Sequence, residues 1–311
     1  MLEVKGISHW YGERQVLRDV TFSVTSGHLT GFVGANGAGK TTTMRSILGL
    51  IRPTKGEVLF QGKPISDTDR TRFGYMPEER GLYPKMKVRE QIIYFAKLHG
   101  VDGATAAKRA DELLERVNLA ERANENVEAL SLGNQQRAQI CVSLVHEPEF
   151  LILDEPFSGL DPIAVDVVLS VLQEQAARGV PVLFSSHQLD VVERLSDELV
   201  IISEGEIKAT GSRRSLQEQH SQGLFRISVD DDAWILAQDG VTEVGREGED
   251  LIFRIARGAG DDGSAGFAGD SDGADIDARG QAILQEAVSR GPVRRFNHEL
   301  VRLSTIFKEI R

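Results

Sequence analysis

From residue 1 to about residue 215 the chain alternates short apolar runs with longer stretches of helical periodicity, and turn residues fall between them. Leu29–Val33, Phe150–Leu153, Val182–Ser185 and Leu199–Ile202 are short, largely apolar and bounded by Gly, Pro, Asp or Ser. That pattern predicts strands covered on both faces. Helices are predicted over Thr42–Leu50, Val88–His99, Ala106–Val117, Gly133–Val145, Pro162–Arg178 and Leu189–Leu195. The fifth has the clearest ends. Asp161 suits the N-cap, Pro162 the first helical position and Gly179 the position just past the end. Strands alternating with helices of this length predict a parallel sheet with crossover connections.

From about residue 220 the pattern changes. Phe225–Val229 and Leu251–Ile255 read as strands, and Ala282–Ser289 reads as helical. Apolar residues at 300, 303, 306, 307 and 310 have helical spacing. Between these lies Gly258–Ala278, built mainly of Gly, Ala, Asp and Ser, with only Phe267 and Ile276 as larger apolar residues. Such a composition buries too little surface to order itself, so it reads as a flexible loop. The expected division is a domain over 1–215 and a smaller one over 220–311 that carries the acidic loop 258–278.

Composition narrows the class. The 311 residues are 41% hydrophobic and 27% charged, which excludes wholesale disorder and a collagen-like chain. The lone cysteine, Cys141, excludes an intramolecular disulfide and points to a reducing compartment. The start, Met1-Leu2-Glu3-Val4-Lys5, lacks the basic-then-apolar pattern of a signal peptide. No run of about 18 apolar residues exists, so no membrane span is expected. The net charge is −11, which argues weakly against nucleic acid as a partner, but six Asp lie in 258–278 without a Lys or Arg. The acidity is therefore mostly a property of that segment.

Residues 34 to 41 read Gly-Ala-Asn-Gly-Ala-Gly-Lys-Thr, a full match to G-x-x-x-x-G-K-[ST] between a predicted strand and a predicted helix. Gly34, Gly37 and Gly39 let the backbone wrap a phosphate closely. Successive amides and the helix N-terminus supply partial positive charge. Lys40 adds a full charge for the β- and γ-phosphates, and the Thr41 hydroxyl suits Mg²⁺. Phe150–Glu155 is an apolar strand ending in two carboxylates. Asp154 suits Mg²⁺, and Glu155 suits the polarisation of an attacking water. Pro156 and Ser158-Gly159-Leu160-Asp161 follow.

In this order the motifs resemble the ATP-binding subunit of an ABC transporter across residues 1 to about 215. Gly34–Thr41 match its Walker A loop and Phe150–Glu155 its Walker B. Leu130-Ser131-Leu132-Gly133-Asn134-Gln135-Gln136 resembles its signature motif, Ser158–Asp161 its D-loop, and His187 its switch histidine. Tyr11 matches the position whose ring stacks on adenine. The resemblance implies an α/β P-loop NTPase domain of ABC type, with a mainly parallel core sheet, a helical subdomain and an N-terminal antiparallel part. A small C-terminal α+β domain would follow.

The implied function is an ATPase that drives export of a substrate through a separate multi-span membrane subunit. Catalysis would rest on Glu155, His187 and Lys40. ATP would be held by Tyr11, Gly34, Ala35, Asn36, Gly37, Ala38, Gly39, Lys40, Thr41 and Thr42. From the other subunit of a head-to-tail homodimer it would be held by Ser131, Gly133, Asn134 and Gln135. Mg²⁺ would be held by Thr41, Glu78 and Asp154. Such a subunit lies at the cytoplasmic face of the cell membrane and binds no nucleic acid. Two other readings stay open: a soluble ATPase of the same family acting on ribosomes or DNA, and a non-hydrolysing regulatory subunit.

Three positions depart from the family pattern. Leu132 and Asn134 stand where Gly and Gln are usual, a variant that resembles sodium-efflux and drug-resistance exporters. Glu78, in Phe73-Gly74-Tyr75-Met76-Pro77-Glu78, stands where the family places a glutamine. A carboxylate binds Mg²⁺ more strongly than an amide and repels phosphate more. Tyr83 and Met86 are candidates either for core or for contacts with the membrane subunit. Ser131 is expected to cap its helix through its side chain. Histidines 9, 28, 99, 146, 220 and 298 show no ligand spacing, and Cys141 reads as core.

Overall fold

The computed structural model describes residues 1–79, 81–256, 271–301 and 303–309. Two compact units divide the chain after Arg213.

The first unit begins with β1 (Leu2–Tyr11), β2 (Arg14–Val24) and β3 (Leu29–Val33), followed by α1 (Lys40–Ile47). Next come β4 (Lys55–Phe60), β5 (Lys63–Pro64), α2 (Asp67–Arg70) and β6 (Phe73–Met76). Three helices follow, α3 (Val88–Leu98), α4 (Gly103–Arg116) and α5 (Leu132–Leu144). The unit closes with β7 (Phe150–Leu153), α6 (Pro162–Ala177), β8 (Val182–Ser186), α7 (Leu189–Leu195), β9 (Glu198–Ser203) and β10 (Glu206–Ser212).

One sheet has the order β2-β1-β4-β5 and is antiparallel. The other has the order β10-β9-β3-β8-β7-β6. Its strands run parallel except for β10. β3, β7 and β8 are buried at every position, as strands covered on both faces require. Their side chains and those of the antiparallel sheet share one core, in which Phe22, Phe32, Phe60, Phe73 and Phe150 are prominent.

This order places the site. β3, β8, β7 and β6 are consecutive neighbours, and in a parallel sheet their C-terminal ends share one edge. Gly34, His187, Asp154 and Glu78 all leave the sheet along that edge. α6 starts as its sequence predicts: the Asp161 side chain accepts from Ala164 N–H at 2.8 Å, and Pro162 takes the first turn.

The second unit contains α8 (Arg213–His220), which begins at the boundary, then β11 (Leu224–Ser228) and α9 (Ala233–Leu236). β12 (Val241–Glu247), β13 (Asp250–Ile255), α10 (Ser271–Arg290), β14 (Arg295–His298) and α11 (Leu303–Glu309) follow. Its sheet is antiparallel, with the order β12-β13-β11-β14.

The loop expected over 258–278 needs correction. Residues 258–270 lie outside the described residues, but from Ser271 the chain is helical. Ile276, Ile283 and Ala287 fall on one helical face and join Phe225, Phe253 and Ile255 in the core of this unit. Gly280 lies on the same face, where an added Cβ would stand 2.5 Å from the Phe225 ring. Gly280, which falls between the expected loop and the expected helix, is what lets α10 lie against that ring.

Among the described residues no helix is long and apolar enough to cross a membrane.

Candidate functional site

The phosphate loop leaves buried β3 and turns into α1. Its glycines have distinct tasks. At Gly34 a Cβ would stand 2.5 Å from Ile202 O, and at Gly39, with φ +110°, it would stand 2.7 Å from Leu17 Cδ2. Gly37, at φ +81°, faces open space. The loop is thus packed tightly on its inner side and open on its outer side. Its carbonyl at Ala38 accepts from Gly205 N–H at 3.0 Å, which ties it to the β9–β10 turn.

Lys40 is buried and curls over the loop, with Nζ donating to Gly34 O at 2.7 Å and Ala35 O at 3.3 Å. Burial pulls its pKa down, and the facing carboxylates of Glu155, Asp154 and Glu78 oppose that shift. The loop and these carboxylates line a groove of about 480 Å³, with Asn36, Gly37, Gly39, Lys40, Thr41 and Thr42 on one side. Arg14 and Val16 line it too. Ala35 and Ala38 line an adjoining groove.

Asp154 is only 1% exposed at the end of β7. Thr41 Oγ1 donates to its Oδ2 at 2.8 Å, and Ser185 Oγ donates to its Oδ1 at 2.5 Å. The Ser185 hydroxyl also accepts from Glu155 N–H at 2.9 Å. One hydroxyl on β8 therefore fixes both acidic residues of β7. Glu155 is itself held at φ +53°, a left-handed conformation that costs energy for a residue with a Cβ. Its carboxyl is buried, which raises its pKa, and His187 beside it pulls in the opposite direction. His187 Nδ1 lies 2.8 Å from Glu155 Oε1, and the histidine side chain is 46% exposed.

α5 supports this edge from behind. Gln136 Nε2 donates to Glu155 O at 2.9 Å and Pro156 O at 3.1 Å. One turn on, Gln139 Nε2 donates to Pro77 O at 2.9 Å and reaches Glu79 O at 3.5 Å. Ser185, Gln139 and Arg14 were not singled out as site residues by sequence reasoning, and Gln136 entered only as the last residue of the signature-like segment.

The predicted residues do not all meet. Lys40, Thr41, Glu78, Asp154 and Glu155 share the groove. Ser131, Gly133, Asn134 and Gln135 lie at the start of α5 and do not line it. Ser131 occupies the N-cap position of a helix that begins at Leu132, but its side chain makes no cap hydrogen bond. That corrects the expected capping role. Gln135 Nε2 holds Val127 O at 3.1 Å and Leu130 O at 3.0 Å, and Asn134 Oδ1 accepts from Arg137. An added Cβ at Gly133 would stand 3.3 Å from Gly159 O, so a larger side chain there would press on the 158–161 turn. Tyr11 is 51% exposed at the tip of the β1–β2 hairpin, edge-on to His9 at 4.7 Å between ring centroids.

Tyr83 is exposed, and Gln91 grips its backbone: Tyr83 N–H donates to Gln91 Oε1 at 2.7 Å. Met86 is half-buried. Cys141 is fully buried with its thiol pushed up to about 12, so it packs rather than reacts.

The donors around the groove suit a polyphosphate with a hard divalent cation. The backbone of residues 34–39 and the start of α1 attract anions. Thr41, Asp154 and Glu78 offer only oxygen, which matches Mg²⁺. Among the described residues there is no cluster of three His, Cys, Asp or Glu side chains placed to hold a metal by themselves.

Comparison with known proteins agrees with this arrangement. The sequence profile of the family described as ABC transporter matches residues 17–158. The uncharacterized ABC transporter ATP-binding protein YhaQ of Bacillus subtilis is 38% identical over 82% of this chain and 86% of its own length. The Nod factor export ATP-binding protein I of Ralstonia nicotianae is 37% identical over 70% of this chain and 68% of its own. A solved ATP-binding subunit of an ABC transporter superposes with a TM-score of 0.66 at 36% identity, covering 71% of this chain and 93% of that one. A bacterial ABC transporter cassette solved as a dimer gives a TM-score of 0.63 at 25% identity, covering 69% of this chain and 99% of that one.

Proposed function

Because the chain belongs to the ABC transporter ATP-binding proteins, we propose that its ATPase unit drives export of a substrate through a separate multi-span membrane subunit. The observation that carries the catalytic half is the edge where Lys40, Thr41, Glu78, Asp154 and Glu155 converge on one groove. Gly34 to Thr42 hold the triphosphate, and Lys40 turns from the loop carbonyls to the β- and γ-phosphates. Thr41, Asp154 and Glu78 would hold Mg²⁺, which would supply positive charge beside the phosphate oxygens. Glu155 orients the attacking water and accepts its proton.

His187 has a narrower role than a free imidazole. Its Nδ1 faces the Glu155 carboxyl, so a neutral ring places its one N–H there. Nε2 is then an acceptor able to hold a proton of the attacking water. It donates to a phosphate oxygen only when the ring is fully protonated. His187 therefore orients both Glu155 and the water.

The start of α5 does not line its own groove, yet a helix N-terminus attracts anions. A head-to-tail pair of chains would bring each Ser131–Gln135 segment to the triphosphate of the other. The dimeric cassette among the structural neighbours supports the pairing of two chains. Export as the direction is supported by the Nod factor export relative. Tyr83, with Tyr94 and Phe95 packed beside it, offers an exposed aromatic surface for the membrane subunit. The subunit would then sit at the cytoplasmic face of the membrane.

Purification of the tagged chain from detergent-solubilised membranes of its host tests the assignment. A multi-span protein should co-purify and change the ATPase rate on reconstitution. Co-purification with ribosomes or DNA instead would favour the soluble reading and contradict this one.

A further inference from the structure

α5 carries two buried glutamines three residues apart, each holding main-chain carbonyls of a different carboxylate segment. Gln136 holds the carbonyls of Glu155 and Pro156, which belong to the peptides on either side of Pro156. Gln139 spans Glu78, reaching the carbonyl before it (Pro77) and the one after it (Glu79). The Glu78 segment is otherwise tied to the sheet one residue earlier, where Met76 O accepts from Asp154 N–H at 2.8 Å.

Gln139 is 3% exposed, and its Oε1 is buried with no hydrogen-bond partner. Turning the amide over would not relieve this, because Oε1 would then face two carbonyl oxygens. A buried acceptor without a donor costs stability. An unbranched apolar side chain of similar volume, such as Met, would fill the same space without that orphaned acceptor, but would leave the Pro77 and Glu79 carbonyls without their donor. Packing alone therefore does not account for an amide at this position, whereas the two carbonyls flanking Glu78 do.

We propose that Gln139 is a positioning residue that fixes the backbone on both sides of Glu78, and so aims the Glu78 carboxylate at the Mg²⁺ of the bound nucleotide. The inference rests on the nucleotide-binding reading above. It adds a mechanical consequence. Gln136 and Gln139 share one helix face, so a displacement of α5 moves the Glu155 and Glu78 segments together. The Ser131–Gln135 segment at the start of α5 is the part a second subunit's nucleotide would engage. Its engagement would then reach both carboxylates through a single rigid helix.

The test compares wild type, Gln139→Met, Glu78→Ala and the double variant. Binding of a trinitrophenyl ATP analogue is measured with and without Mg²⁺, and thermal melting reports folding. Gln139→Met should still melt cooperatively as a folded protein, since the lost carbonyl partners are offset in part by removal of the orphaned acceptor. The enhancement of binding by Mg²⁺ should fall about tenfold, the scale of lost support behind a metal ligand. Adding Gln139→Met to Glu78→Ala should change it no further, since the amide acts only through Glu78. An unchanged Mg²⁺ enhancement in Gln139→Met, or effects of the two substitutions that simply multiply, would overturn the proposal. Wild type failing to bind the analogue would instead overturn the nucleotide reading, and the positioning role with it.

Discussion

His187 Nδ1 lies 2.8 Å from Oε1 of Glu155, a buried carboxyl on a left-handed backbone. Burial raises the Glu155 pKa, and the hydrogen bond and charge of His187 lower it. Glu155 must be ionised to accept a proton from water, so turnover should fall as pH drops through this raised pKa. The acid limb of kcat should thus lie above the ordinary glutamate range. His187→Gln removes the group that lowers it, so the limb should move to higher pH and the plateau should drop about 100-fold. A pH profile at saturating Mg·ATP checks both. A limb that stays in place would show that the pair does not act as a unit.

Ser185 is the second relationship that the site depends on. Its hydroxyl donates to Asp154 Oδ1 and accepts from Glu155 N–H. Ser185→Ala leaves two buried polar groups without that partner, a loss of about 1–3 kcal/mol. Denaturant melts should show it, and turnover should fall about tenfold because both carboxylates loosen. Full stability with full activity in Ser185→Ala would contradict this role.

Much of this was legible in the sequence, for physical reasons. β3, β7 and β8 are strands covered on both faces, so their residues are largely apolar; β3 and β7 have the ends the sequence predicts, and β8 runs one residue further, to Ser186. The phosphate loop and the Asp154-Glu155 pair are local motifs and needed no tertiary information. The long β1 strand was not picked out by its pattern. Its pairing with β2 shifts register between Val4 and Trp10, and such irregularities break the period-two alternation. α10 was read too short because Asp- and Gly-rich composition outweighed the Ile276, Ile283 and Ala287 stripe. Gln139 was missed because its partners are main-chain carbonyls about 60 residues away in sequence, and no local pattern encodes those.

Glu78 departs from the family's glutamine, and its charge is felt at Lys40. On the proposed function, Glu78→Gln would remove a carboxylate from beside the phosphates and from the Mg²⁺ ligands. Nucleotide binding without Mg²⁺ should tighten, and the Mg²⁺ concentration needed for half-maximal turnover should rise. Each change should be about fivefold, or roughly 1 kcal/mol at the effective dielectric of a partly solvated site. Calorimetric titration and a Mg²⁺ series of ATPase rates measure the two effects. If neither moves, Glu78 does not ligate the cation.

The central claim is that this edge of the sheet hydrolyses ATP with Glu155 as the group that activates water. The most direct measurement is steady-state ATPase turnover of wild type and Glu155→Gln, with nucleotide binding measured on the same preparations. The account predicts Mg²⁺-dependent turnover by wild type and a loss of at least about 100-fold in Glu155→Gln. The variant should keep its ATP affinity and accumulate as an ATP-bound dimer. Equal turnover in the two proteins would contradict it.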